Sequence, residues 1–246
     1  DTAPLASLTV VGTTDFTGGS LITTGEQLYQ GAVTLSGDHT LSSTGGSLVF
    51  GSTLDSGNRS SLTLSAGEDI VVQGAVGGTS PLGTLVIDAG DSIDFASNVH
   101  VSSVQQAAAG GLTRFGGELR AGGADGIVLS GDGFVFEAGV TADQGVLTVH
   151  NSDAAGTIAF NGPILSKKDF TQTGGAHVYL PETITVSNGG TIPPELLPRV
   201  FDRFFRVPGN GHTGSGLGLA IAQAAAQGCG LSVTPRNREG RSGLEA

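Results

Sequence analysis

The sequence predicts an all-β chain wound as a right-handed parallel β-helix, with a short α-helical appendage at its C-terminal end. Three observations lead there. A motif recurs at a fixed period: residues 61–95 read SLTLSAGEDIVVQGAV, a short loop, then TLVIDAGDSIDF, so Ala66-Gly67 returns as Ala89-Gly90 and Ile70 as Ile93, 23 residues on in each case. A fixed period of roughly 20 to 25 residues marks a stacked repeat, about one three-sided rung. The turns carry Gly with Asp, Asn or Ser, residues that tolerate left-handed backbone geometry. Equivalent positions repeat in kind, so like residues would stack rung on rung.

Composition bounds the alternatives. Gly is 42 of 246 residues, against a usual ~7%, and charged residues are 13%, about half the usual ~25%. Yet 38% of residues are apolar, enough for a core. Gly and Ser placed between regularly spaced β-branched residues signal many short strands and turns rather than disorder. The formal net charge of −11 disfavours nucleic acid as a partner, because phosphate binding needs clustered Lys and Arg. The single cysteine, Cys229, rules out an intrachain disulfide. No stretch approaches the ~20 apolar residues of a membrane span, so no membrane insertion is expected. The chain opens at Asp1 with neither a charged n-region nor an apolar h-region, so no signal peptide is expected in this chain: either it never had one, or it is a mature or internal fragment.

Taken in order, residues 4–10 (PLASLTV) echo residues 81–87 (PLGTLVI) at a spacing of 77, a longer repeat laid over the short one. The opening inside a motif suggests a start within a repeat array that lacks an N-terminal cap. Further copies are Val33–Leu41, Ile127–Phe134, Val146–Val149 and Thr157–Gly162, and the last rung runs from Phe170 to Leu180. Strands of 3 to 6 residues with strict alternation are expected, one face of each buried. At ~4.8 Å per rung, roughly eight or nine rungs give a rod about 40 Å long. Val104 to Gly111 lacks β-branched residues after its first position and is expected to protrude as a loop.

TTGEQLYQGAVTL (residues 23–35), the PLASLTV and PLGTLVI echoes and the GGTS linker resemble the repeat passengers of filamentous-haemagglutinin and autotransporter-type bacterial adhesins. The resemblance covers about residues 1–190. It implies a secreted or cell-surface parent, a role in adhesion or as a stalk, and a host surface or glycan as partner.

After about Thr191 the text changes. Residues 1–190 hold 5 Lys+Arg and 18 Asp+Glu, whereas residues 191–246 hold 6 Arg and 4 acids. Ile192-Pro193-Pro194-Glu195 predicts the start of an α-helix, with Pro in its first turn. Leu196, Leu197, Val200, Phe201, Phe204 and Phe205 then form one apolar stripe at helical spacing. Gly216 to Gln227 predicts a second helix, stopped by Gly228. Residues 192–206 (IPPELLPRVFDRFFR) resemble the F box of sensor histidine kinase ATPase domains, and residues 214–222 (GSGLGLAIA) their second glycine box. The resemblance covers about residues 185–246, the C-terminal half of such a domain. It implies that Gly214, Gly216 and Gly218 would cradle nucleotide phosphates at a helix N-terminus, a sound anion site. The family also uses an Asn-bearing upstream helix to hold Mg²⁺ and an Asp in a D-x-G-x-G box to read adenine. Here Ser187 stands at that Asp, Gly189 matches, Thr191 replaces the last glycine, and nothing helical precedes residue 190. ATP is therefore not expected to bind. Two unrelated texts joined near 185–192 point to a fusion, with domains at 1–190 and 191–246. The Phe stripe would then cap the exposed end of the solenoid, or pair two chains through Phe201, Phe204 and Phe205.

Parallel β-helices also host polysaccharide lyases and hydrolases, but a fold alone does not confer function. The candidate carboxylates are Glu68, Asp69, Asp88, Asp91 and Asp94, which stacking would bring to neighbouring rungs of one side. Such acids serve as acid and base, or bind Ca²⁺ through oxygen ligands, with Asp91 and Asp132 the candidates. The plainer role is to solubilise the rod and cap turn N–H groups. The histidines His39, His100, His150, His177 and His212 are not at metal spacing. His39 beside Asp38 would serve as a base only if a Ser lay across the next rung. The first reading is thus a structural or adhesive β-helix joined to an inactive kinase-like ATP-binding segment, with no cofactor. The alternatives are a hydrolase or lyase acting on an ester, lactone or glycan, with or without Ca²⁺, and a nucleotide-binding remnant.

Overall fold

Strands of three to five residues are too short to persist alone, so each must be held by its neighbours above and below. The computed structural model shows how: three parallel sheets run along a β-solenoid of about 8 turns. It describes residues 4–107, 109–175, 177–181, 183–186, 194–203, 205, 218–228, 233–237 and 244–245. The chain divides into two compact units, residues 1–183 and 184–246.

The first sheet holds nine strands: Leu8–Val10, Gln27–Tyr29, Leu48–Phe50, Ile70–Val72, Ile93–Phe95, Leu112–Phe115, Gly133–Phe136, Thr157–Phe160 and His177–Tyr179. Each coil then passes through the third sheet, starting at Thr14–Phe16, Val33–Leu35 and Leu54–Ser56. It continues through Gly19–Thr23, His39–Ser43, Leu62–Ala66 and their successors in the second sheet before returning to the first. The coil length follows from the register, 19 residues from Leu8 to Gln27 and 24 from Phe134 to Ile158. The predicted pairing of Ile70 with Ile93 is present. So is the alternation, with both ends of Val33–Leu35, Leu48–Phe50 and Ile70–Val72 buried around a less buried middle.

Like residues stack on like. One interior column of the first sheet runs Phe95, Phe115, Phe136, Phe160. Successive ring centroids lie 5.2, 5.4 and 4.6 Å apart, with planes within 5° of parallel. Tyr29 and Phe50 stack in the same column at 5.2 Å. The rings stack because parallel in-register pairing leaves no other arrangement, and each buries a large apolar area. Where coils turn most tightly only glycine fits. Gly126 has φ +69°, and a Cβ there would strike the Val146 carbonyl of the next coil.

Four expectations are corrected. Two strands, Leu82–Ala89 and Val99–Gln106, have eight residues rather than six at most. Each carries two consecutive buried residues, Leu82-Gly83 and Ser103-Val104, where the backbone bends between sheets without a turn. Val104 to Gly111 is consequently no protruding loop: Val104–Gln106 pairs with Ile127–Leu129, and Gln106 and Ala109 are buried. Nor is the 77-residue echo a structural repeat. Leu8 lies in the first sheet, while Leu85 pairs with Leu62 in the second. Finally, Ala89 pairs with Ser65 rather than Ala66, because a bulge inserts Asp88 after the Leu64–Ile87 pair.

The second unit also departs from expectation. Pro194–Arg199 is a 3-10 helix rather than the start of a long α-helix. Pro198 has no N–H, and its ring opposes the carbonyl four residues back. The bonds that follow keep i+3 spacing, from Val200 N to the Leu197 carbonyl, Asp202 N to Arg199 and Phe205 N to Asp202. Gly218–Gly228 is an α-helix, and Arg236–Asn237 pairs antiparallel with Leu244–Glu245. Ser187, Gly189 and Thr191 lie outside the described residues.

Two substitutions test this packing. Phe136→Ala removes the ring clamped between Phe115 and Phe160 and should lower unfolding stability by about 3–5 kcal/mol in urea titration. Arg59 holds the left-handed φ of 61°, so Arg59→Gly should raise stability by up to about 1 kcal/mol in the same measurement.

Candidate functional site

The acids sit mainly at corners, where strands end and the next coil's amides need acceptors. Glu68 and Asp69 follow strand Leu62–Ala66, and Asp91 occupies the same corner one coil later, its N–H donating to the Glu68 carbonyl at 2.8 Å. Asp69 Oδ1 accepts from the Ser92 N–H at 3.0 Å, and Glu68 Oε2 from the Ser47 hydroxyl at 3.3 Å. Asp132 stands at this corner two coils beyond Asp91 and accepts from the Ser152 hydroxyl at 2.7 Å. At the corner before the second sheet, Asp38 Oδ1 accepts from the Ser61 N–H at 2.7 Å. Asp55, in the third-sheet strand Leu54–Ser56, does the same for the Thr79 N–H at 2.9 Å. Each bond joins one coil to an adjacent coil and satisfies a group that the turn would otherwise leave free.

Of the candidates, then, Glu68, Asp69 and Asp91 come together at one corner. Asp88 is exposed in its bulge. Asp94 is elsewhere, on the outer face of the first sheet, 2.9 Å from Arg114 Nη1. That guanidinium reaches on to Glu137 at 3.6 Å, and Glu137 accepts from the Asn161 amide at 2.7 Å. Among the described residues no three His, Cys, Asp or Glu side chains gather closely enough to hold a metal ion.

His39 does not meet the condition set for a base. Its strand neighbours in the same column are Gly19 and Leu62, with no Ser across the rung. Its ring points inward, is nine-tenths buried and stacks on Phe16 at 4.3 Å. Neither ring nitrogen has a hydrogen-bond partner.

Three interior polar residues escape a sequence reading. Gln27 donates to the Ser42 carbonyl at 2.9 Å and accepts from the Tyr29 hydroxyl at 2.8 Å. Burial raises the Tyr29 phenol well above its ordinary value. Gln106 donates to Thr113 at 2.9 Å, leaving its Oε1 without a partner, and Asn151 leaves its Nδ2 so. The signal was a polar residue at an inward position of an otherwise apolar column.

The outer corner near the third sheet carries a charge ladder. Arg120 Nε lies 2.8 Å from Asp143, Lys167 Nζ lies 3.0 Å from the same carboxylate, and His100 lies 3.5 Å from Glu118. Burial acts to raise the Asp143 pKa, but the bonds from Lys167 and Arg120 outweigh it and hold the carboxyl below its ordinary value.

In the second unit, Gly214 and Gly216 lie outside the described residues, while Gly218 opens the α-helix. Phe201 and Phe205 are half-buried, Phe204 lies outside the described residues, and the Arg199 guanidinium sits 4.6 Å from the centre of the Phe205 ring. Arg199 also pairs with Asp202 at 3.3 Å. Among the described residues no helix is long and apolar enough to cross a membrane.

Residues 169–243 match the family described as histidine kinase-, DNA gyrase B- and HSP90-like ATPase. The match starts upstream of the F-box motif, within the last solenoid coil. Sensor protein QseC of Escherichia coli K12 is 46% identical over 63 residues, 26% of this chain and 14% of the relative. The swarming motility regulation sensor protein RssA of Serratia marcescens is 54% identical over 46 residues, 19% of this chain and 10% of the relative. QseC of Salmonella typhi is 42% identical over 59 residues, 24% of this chain and 13% of the relative. The chain thus spans a small fraction of the curated relatives it matches. No solved structure matches.

Two predictions follow from the corner chemistry. Asp69→Ala frees the Ser92 N–H and should cost about 0.5–1.5 kcal/mol of stability by urea titration. Because Asp143 has a lower pKa folded than unfolded, its contribution is present above pH ~3.9 and lost as pH falls through the folded value. Asp143→Asn should therefore be about 1 kcal/mol less stable than the wild type at pH 7, the gap closing near pH 2 in parallel urea titrations.

Proposed function

We propose that the solenoid is a structural or adhesive rod from a secreted bacterial surface protein, and that the C-terminal segment is a kinase-like ATPase remnant that neither binds nor hydrolyses ATP. The observation that carries the first half is the use of the corner acids. Asp38, Asp55, Asp69 and Asp132 each accept a bond from the coil that follows, and Asp94 is tied to Arg114. A hydrolase or lyase needs carboxylates free to meet substrate and exchange protons. These are engaged in holding coil to coil.

The second half rests on what a nucleotide pocket requires. A glycine-rich turn at a helix N-terminus supplies amides for phosphate, but metal and base contacts must come from elsewhere. Ser187 occupies the position of the adenine-reading Asp in the resemblance. The described elements of residues 4–183 are strands and their turns, so they offer no upstream helix for a metal-binding Asn.

Titration of the full chain with a fluorescent ATP analogue and Mg²⁺ should give no saturable signal into the millimolar range. Saturation with Kd below about 100 μM, about −5.5 kcal/mol or better, sinks the remnant reading. A panel of esters, lactones and glycans should show no turnover, and melting with Ca²⁺ or with chelator should coincide. Turnover abolished by Asp91→Asn would instead establish the enzymatic alternative, and a Ca²⁺-dependent melting shift a metal site.

A further inference from the structure

The first coil buries little of its own side-chain surface, with no strand residue before Thr23 fully buried, and a histidine sits where it joins the second. In chain order the first fully buried apolar side chain is Tyr29, whereas Leu5, Val11 and Ile22 are exposed. Segments with little buried apolar surface open at the lowest free energy. What the coil does cover is the His39 ring, which lies flat against Phe16. Phe16 in turn packs edge-on against Tyr29 at 5.6 Å. His39 belongs to an interior column that continues as Leu62, Leu85, Val104, Ile127 and Leu147. Below it stands Gly19, which contributes no side chain. Both imidazole nitrogens are buried without a partner. A neutral ring tolerates such a site at the expense of one donor and one acceptor. A charged ring there would lack both water and a counter-ion.

We propose that His39 makes the first coil a proton-sensitive flap: when the buried ring takes up a proton, residues 5–24 separate from the second coil and uncover its strand edges. The charged side chains around the ring offer no relief while the coil is closed, and the Gly18 backbone offers only a partial one. Asp15, on the strand that carries Phe16, accepts from the Ser36 hydroxyl at 2.8 Å. The Asp38 carboxylate is bound to the Ser61 N–H. From the Gln27–Tyr29 strand the titratable group is Tyr29, neutral and bonded to Gln27. The paired strand Leu62–Ala66 carries none.

The direction of the effect follows. Burial lowers the His39 pKa, with the Gly18 backbone pulling partly against it. The unfolded or opened chain therefore binds the proton more readily. The closed coil keeps its full stability above pH ~6.5 and loses it as pH falls below that value through the folded pKa. Opening would expose Gln27–Tyr29, Val33–Leu35 and His39–Ser43 as unpaired parallel edges, a surface able to accept another strand.

Amide hydrogen exchange of the full chain, corrected for the intrinsic effect of pH, tests this. Between pH 7.5 and 5.0 protection of residues 8–29 should fall at least tenfold, while residues 112–160 stay unchanged. His39→Leu, which continues the Leu62 column, should abolish the pH dependence, and Asp38→Asn should keep it. An equal tenfold loss in His39→Leu overturns the proposal. So does a wild-type His39 imidazole that titrates by NMR at its ordinary value while residues 8–29 remain protected. That second measurement needs no variant to fold.

Discussion

Parallel in-register pairing is the constraint on which the solenoid depends. Every coil offers its backbone N–H and C=O groups to the next, so neighbouring coils must keep the same path and nearly the same length. Side chains then stack in columns whether or not they suit one another. Columns of Phe, Leu or Val gain from this, as the Phe95–Phe160 stack does. A column of like charges would lose. On the outer face of the first sheet the neighbouring charges are accordingly opposite, Asp94 being in register with Arg114, and beyond the next sheet's strands Arg120 reaches Asp143. The corners apply the same logic to hydrogen bonding. A turn leaves amides without a ladder partner, and short acidic or hydroxyl side chains from the neighbouring coil supply the acceptor.

Polar residues inside the rod act differently. Gln27 is satisfied by Ser42, Thr23 and Tyr29, so its burial costs little and fixes one register of the second coil. A one-residue slip would turn the amide outward and bury Leu28 in its place. Gln106 and Asn151 are only partly satisfied, and His39 not at all. Fully bonded interior groups specify the packing. Partly bonded ones leave neighbouring coils with less to lose on separating, which links local stability to protonation at His39.

The period, the parallel pairing and the buried face of most strands were legible in the sequence because they arise from local alternation and Gly-containing turns. The Ile70–Ile93 pair shows this directly. What was not legible depends on where the chain bends. Ser102-Ser103 passes from one sheet to another without Gly, Pro or Asp to mark the corner, so Val104–Gln106 had the composition of a loop and the geometry of a strand. PLASLTV and PLGTLVI share a text yet occupy different sheets, since a strand's position is set by what it pairs with. Of the candidate acids, spacing alone grouped Glu68, Asp69 and Asp91 at one corner. It could not tell that Asp94 alternates outward to meet Arg114, nor that the His39 ring turns into the core. In the tail, the helical spacing of Leu196 to Phe205 outweighed Pro198 on paper, whereas backbone sterics favoured the proline.

The span from 169 to 183 belongs to two descriptions at once. It lies within the ATPase family match, and it also forms the last described coil of the first unit, where Phe170–Gly174 pairs with Leu147–Asn151 and His177–Tyr179 with Thr157–Ala159. The pairing is not explained by burial, since His177, Val178 and Tyr179 are all exposed. The preceding coil provides the explanation. Its strands present a row of unpaired backbone groups, and such an edge recruits any following segment able to extend. Thr, Val, Tyr and Phe in this span have the required propensity. A strand-forming text joined to a solenoid can thus be drawn into one more coil by hydrogen bonding, even where its side chains contribute little. The extent of the solenoid is therefore set less by where one kind of sequence ends than by which following segments can extend against the last strand edge.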